Sequence, residues 1–187
     1  MREVLSSVLF AWAATELVLR ARQRGRQRRR TGFRFDRSYP VILVCIGGGV
    51  ALAFRASHLG STTWGGGWAP FGVGLAILVA GASFRIWAIV TLGRFFTPIV
   101  TIQEGHRLVE RGPYRIVRHP SYTGGLIGFL GLGIALGSWL SVLAAVLLPL
   151  VGVLVRIHVE EAALIDGLGD EYREYAARTK RLVPGVW

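Results

Sequence analysis

The sequence predicts an all-α integral membrane protein with about five transmembrane helices, its N-terminus outside and its C-terminus cytoplasmic. Three observations lead there. The 187 residues are 52% hydrophobic and 18% charged, whereas a soluble domain carries about 25% charged residues. The apolar residues gather in runs close to the ~17–25 needed to cross a bilayer as a helix. The basic residues gather between those runs, almost all on one side of the implied membrane.

The first span is expected over about 4–19, VLSSVLFAWAATELVL. It is short and contains Glu16. Its "AWA" resembles a signal cleavage site, but only Arg2 precedes the apolar core, Glu3 cancels that charge, and apolar sequence resumes after Glu16. A retained span is expected rather than a cleaved leader. The second span is expected over 39–54. It holds the lone Cys45, which can form neither an intrachain disulfide nor a multi-cysteine metal site. The third is expected over 68–92, with Arg85 inside it. The fourth, 122–137, and the fifth, 139–159, are joined by little more than Gly137-Ser138-Trp139, so they should form a tight helical hairpin. Gly124, Gly128, Gly133 and Gly137 include pairs spaced by four, which let helices approach closely in lipid. Trp64, Trp68 and Trp139 sit at span ends, where indole rings prefer the interface.

Charge sets the orientation. Arg20, Arg22, Arg24, Arg26, Arg28, Arg29, Arg30, Arg34 and Arg37 follow the first span. Arg94, Arg107, Arg111, Arg115 and Arg118 follow the third, and Arg173, Arg178, Lys180 and Arg181 lie in the tail. Only Arg2 and Arg55 fall on the other side, so the dense side is cytoplasmic. A basic run such as RARQRGRQRRR can bind nucleic acid. Squeezed between two spans, it reads instead as a topological anchor on anionic lipid headgroups, and no nucleic-acid partner is expected. The net charge is +11, and all basic residues but Lys180 are arginine. That skew hints at a GC-rich bacterial genome and hence a bacterial inner membrane.

The notable polar chemistry falls on the cytoplasmic face, in residues 91–124, 155–164 and 168–187. Arg156 and Glu160 stand four apart and share a helix face. Glu161 lies about 100° round from Glu160. An ion pair at a span end explains this cluster, and so does a polar wall for a ligand. Pro120 biases His119 away from helix, so the stretch RGPYRIVRHPSYTGG reads as a structured loop. A lone histidine is by position usually structural. His58, His106, His119 and His158 provide no facing pair within spans, which argues against a haem site, and no metal site is expected. Arg85 either snorkels to the interface, seven positions or roughly 10 Å away, or serves a function inside the membrane.

At these residues the sequence resembles the isoprenylcysteine carboxyl methyltransferases, a family of integral membrane enzymes, with the related phospholipid N-methyltransferases. The resemblance rests on LGRFFTPIVTIQEGHRLVERGPYRIVRHPSYTGG followed by RIHVEEAALIDGLGDEYREYAARTKRLVPGVW. It covers about 85–187 and divides the chain into N-terminal spans, 1–84, with the arginine-rich loop 20–37, and a methyltransferase core, 85–187. It implies that S-adenosylmethionine binds in a cytoplasmic pocket and leaves as S-adenosylhomocysteine. The positions matching the cofactor pattern are His119, Pro120, Tyr122, Gly124, Glu160 and Glu161. Tyr114 and Arg118 flank them, and Tyr172 and Tyr175 belong to the tail that closes the pocket. Arg156 matches the basic position near the reacting end. The implied reaction is carboxyl O-methylation of a lipidic acceptor of the isoprenylcysteine type, arriving from the bilayer. N- or S-methylation of a phospholipid amine, a thiol or another amphiphile is the alternative, and a non-enzymatic transporter or assembly factor is a third. A carboxylate is ionised at neutral pH and needs only a cation to orient it, which Arg156 or Arg85 can supply. An amine must first lose a proton. Acceptor identity and oligomeric state are not legible in the sequence.

Overall fold

The computed structural model describes residues 1–27, 38–64, 67–97 and 107–187. Among these are six α-helices: α1 Arg2–Gln27, α2 Ser38–Ala56, α3 Trp68–Leu92, α4 Pro120–Ala135, α5 Trp139–Leu168 and α6 Asp170–Arg178. The described residues form no strand; two isolated bridges join Thr63 to Ser138 and Val117 to Lys180. Arg28, Arg29, Arg30, Arg34, Arg37 and His106 lie outside the described residues.

Each expected span falls on one of the helices α1 to α5. Three of them are long and apolar enough to cross a membrane: Ser38–Ala56, Trp68–Phe95 and Trp139–Leu168. α4 has 16 residues, and α1 ends in a basic stretch. α5 runs to Leu168, well past the expected end at 159. The charges of VEEAALIDGL end the apolar run, but Glu, Ala and Leu are strong helix formers and the helix continues. Glu160 and Glu161 therefore ride on a rigid element. Val44, Val73, Val90 and Val151 are exposed on the outer faces, as bilayer contact requires.

Small residues decide which helices meet. α3 packs chiefly on α4, and α2 on α5. A Cβ at Gly81 would lie 2.3 Å from the Gly128 nitrogen, and one at Gly124 would lie 2.6 Å from the Arg85 nitrogen. The two backbones touch there, which suits association in lipid through close packing. Gly133 serves the α4–α5 contact in the same way, against Val142 at 2.5 Å. Gly137 differs from the other three. Nothing lies within 4 Å of its would-be Cβ, and its φ of +71° makes the hairpin turn, a conformation that costs glycine little. Ser138 caps α5, its hydroxyl accepting from the Ser141 N–H at 3.4 Å.

Two buried clusters result. One joins Leu5, Phe71, Leu78 and Leu132, with Trp12 and Phe129 against it. The other joins Ile42, Val153, Ile157 and Leu182, with Tyr39 and Tyr122 against it. The gap between them positions the site.

Candidate active site

The site is built on the segment 111–119 and the start of α4. Gly112–Arg115 forms one tight helical turn that buries Pro113 and Tyr114. The tail then pairs with this segment: the Arg118 N–H donates to the Lys180 carbonyl at 2.7 Å and the His119 N–H to the Arg181 carbonyl at 3.0 Å. From α6, the Tyr175 hydroxyl donates to the Tyr114 carbonyl at 2.7 Å. Pro120 opens α4 as its first residue, where the missing N–H costs no helical bond. His119 is buried just before it and stacks on Tyr122, ring centroids 5.8 Å apart.

Glu161 ties these pieces together. It accepts from Arg118 Nε at 3.0 Å, lies 3.3 Å from His119 Nε2, and accepts from Arg181 Nη2 at 2.8 Å. Arg118 also donates to the Ala176 carbonyl at 2.8 Å and to that of Thr179. Loop, α5, α6 and tail thus share one buried charge cluster, and a buried carboxylate needs such partners to stay ionised. Burial pushes the Tyr114 and Tyr172 hydroxyls well above their ordinary range and that of Tyr175 up to about 12, so all three are neutral near pH 7.

In front of this frame lies a cavity of about 620 Å³. Its polar end is lined by Tyr114, Arg118, His119, Tyr122, Arg156 and Glu160. The Tyr122 hydroxyl donates to Glu160 at 2.8 Å and lies 3.4 Å from Arg156 Nε, while Arg156 Nη1 donates to Ser38 of α2 at 2.9 Å. The rest of the wall is mostly apolar and comes from α1 to α5 and the segment just after α3, with Glu16, Tyr39, Arg85, Thr97 and Ser121 as its polar members. Leu9, Trp12, Ile42, Ile46, Phe129 and Val153 are among its side chains. The indole nitrogen of Trp12 is buried with no hydrogen-bond partner in the structure. Arg85 also lines the cavity and pairs with Glu16 through Nε and, at 3.0 Å, Nη2.

Of the residues singled out from sequence, Tyr114, Arg118, His119, Tyr122, Glu160, Arg156 and Arg85 meet at one cavity. Five others stand behind it. Pro120 starts α4, Gly124 makes the α3–α4 crossing, Glu161 clamps the frame, and on α6 Tyr175 braces the loop while the buried Tyr172 packs edge-on against Tyr175. Glu16, Tyr39, Phe95 and Phe96 line the cavity as well and were not singled out. Glu16 had a legible signal, since an acid in one span and an arginine in another invite pairing.

Comparison with known proteins agrees with this architecture. The model of the isoprenylcysteine carboxyl methyltransferase (ICMT) family matches residues 74–166. Protein-S-isoprenylcysteine O-methyltransferase B of Arabidopsis thaliana is 39% identical over 115 residues, 60% of this chain and 58% of the plant protein. The cobalt-zinc-cadmium resistance protein CzcN of Cupriavidus metallidurans is 32% identical over 137 residues, 72% of this chain and 60% of that protein. The solved structure of the eukaryotic intramembrane Ras methyltransferase ICMT superposes with a TM-score of 0.63 at 25% identity, covering 79% of this chain and 53% of the other. The chain thus spans little more than half the length of these relatives. The relatives named as isoprenylcysteine O-methyltransferases here are eukaryotic, and they lend no support to the bacterial membrane suggested by the arginine skew. On the match over 74–166 and the shared helical core, the chain belongs to the isoprenylcysteine carboxyl methyltransferase family of integral membrane proteins.

Proposed function

We propose that this chain is a membrane-embedded, S-adenosylmethionine-dependent methyltransferase that esterifies the carboxylate of a lipid-borne acceptor of the isoprenylcysteine type. The observation that supports this most is the mixed cavity, where aromatic and titratable side chains of the loop, α4 and α5 stand beside a mostly apolar wall from the long helices. Its volume of about 620 Å³ suits a small-molecule site, which typically measures roughly 300–1,000 Å³.

The residues suit the cofactor. Glu160 offers an acceptor for ribose hydroxyls or an amino group. The rings of Tyr114, His119 and Tyr122 offer flat faces for a base and for a sulfonium. Bound there, S-adenosylmethionine supplies a methyl group open to in-line displacement and leaves as S-adenosylhomocysteine. Arg156 and Arg85 orient the acceptor carboxylate, which needs no base. One carboxylate oxygen gains the methyl carbon as the sulfur loses it, and no proton moves. The apolar wall holds the lipid chain and excludes water, so positioning supplies most of the rate. Residues 85–187 form the methyltransferase core in this reading, with α1 and α2 completing the cavity wall. Five spans, an outside N-terminus and a cytoplasmic site follow from the placement of arginine.

Two carboxylates in the cavity, Glu16 and Glu160, favour a second reading in which the acceptor is a cationic lipid amine. Calorimetry on purified protein in nanodiscs decides whether the cofactor site exists: S-adenosylhomocysteine should bind wild type, and Glu160→Ala should weaken it. No binding in any lipid composition would remove the methyltransferase reading.

A further inference from the structure

Arg85 does not present an open guanidinium to the cavity. Its Nε and Nη2 meet the two oxygens of Glu16, the fork-on-carboxylate arrangement that arginine prefers. Its Nη1 donates to the Ser121 carbonyl at 2.8 Å. The seat that an acceptor carboxylate would take on Arg85 is therefore filled by a carboxylate of the chain itself. Glu16 shares one face of α1 with Leu9, Trp12 and Ala13, and all four line the cavity. Of the five long helices, α1 packs most lightly on the others, so the element carrying Glu16 is the one best able to give.

We propose that Glu16 is a positioning residue whose carboxylate occupies Arg85 and competes with the acceptor carboxylate, which displaces it on binding. This rests on the carboxylate-acceptor reading above. The exchange is like for like: one carboxylate replaces another on the guanidinium, and the incoming one is favoured by burying its lipid chain. An amide or amine brings no such replacement. Displacing Glu16 with one of these would leave a partly buried guanidinium without a counter-charge, which is costly. Glu16 thus supplies Arg85 with a counter-charge between turnovers, and the acceptor carboxylate takes over that place when it binds. The rival is a fixed pair that staples α1 to α3 and never opens.

Equilibrium binding of an N-acetylated S-prenylcysteine and of its carboxamide, to the full chain in nanodiscs, separates the two. Glu16→Gln should bind the carboxylate about tenfold tighter than wild type, a change of ~1.4 kcal/mol, and the carboxamide no tighter. Glu16→Asp keeps the charge but shortens the reach, and should shift carboxylate affinity in the same direction by less. Equal or weaker carboxylate binding by both variants, with melting temperatures near wild type, overturns the proposal, as does absence of binding throughout. If Glu16→Gln proves unstable, the Glu16→Asp comparison decides alone. Wild type that binds the carboxylate but transfers no methyl to it would defeat the reading above and leave this comparison standing.

Discussion

Glu160 and Glu161 are neighbours in sequence, and the structure predicts that they fail differently when removed. Glu161→Ala strips the carboxylate from Arg118, His119 and Arg181 together. Removing one partner of a buried pair costs ~3–5 kcal/mol. The Arg181 side chain is 30% exposed, and an exposed pair contributes only ~0–1 kcal/mol. Arg118 keeps the carbonyls of Ala176 and Thr179. Together these place the loss near the lower bound, about 3 kcal/mol. For a chain of this length each kcal/mol moves the midpoint by ~2–4 °C, so the melting temperature should fall by roughly 6–12 °C. Glu160→Ala removes a cavity-lining acceptor bonded to the Tyr122 hydroxyl. Its melting temperature should stay within about 2 °C, as for a substitution outside the clamp. Its affinity for S-adenosylhomocysteine should fall about 10- to 100-fold, the worth of one or two charged hydrogen bonds. Thermal unfolding in nanodiscs and calorimetry with S-adenosylhomocysteine measure both. Glu160→Ala that melts early, beside Glu161→Ala that melts normally, would refute the division of roles.

Three further outcomes follow from the packing and the site. Gly81→Val would press a side chain into the α4 backbone at Gly128, 2.3 Å from the first added carbon, so size-exclusion profiles should show little folded protein; a normal profile would contradict the contact. Tyr175→Phe removes the bond to the Tyr114 carbonyl and should cost about 1 kcal/mol. The Tyr175 hydroxyl is held neutral up to about 12 when folded, while an unfolded tyrosine ionises near 10. Its stabilising share is therefore complete below about pH 10 and is lost as the pH rises towards 12; the phenylalanine variant should show a shallower fall in melting temperature over that window. Arg156→Lys should keep S-adenosylhomocysteine affinity within about threefold yet lower kcat at least about tenfold, because an ammonium cannot reproduce the planar fork.

Much of the frame was legible because lipid imposes strong patterning. The apolar runs locate the five long helices, and Gly137-Ser138-Trp139 announces the α4–α5 turn. The end of α5 was not legible, because the charges at 160 and 161 look like the edge of a span while the helix continues through them. The difference between Glu160 and Glu161 needs the fold. A 100° step says that they face apart, but only the placement of Arg118, His119 and Arg181 decides which one is clamped. Arg118 reads in sequence as a topological charge and as a flank of the cofactor pattern, but its bracing bonds to carbonyls of α6 and the tail need the fold. Glu16 and Arg85 each stood out as a charge within a span, yet their pairing joins α1 to α3 across distant sequence. Gly124 carried a motif position and proved to be a helix-crossing residue. A packing role and a motif position share one letter, and only geometry separates them.

The most direct test is the fate of a labelled methyl group. Purified protein in nanodiscs, given methyl-labelled S-adenosylmethionine and an N-acetylated S-prenylcysteine, should produce a labelled ester that releases methanol under mild base. Arg156→Lys should yield much less of it. Label recovered on a lipid amine or thioether, stable to base, or no transfer to any lipid, would contradict the carboxyl methyltransferase account.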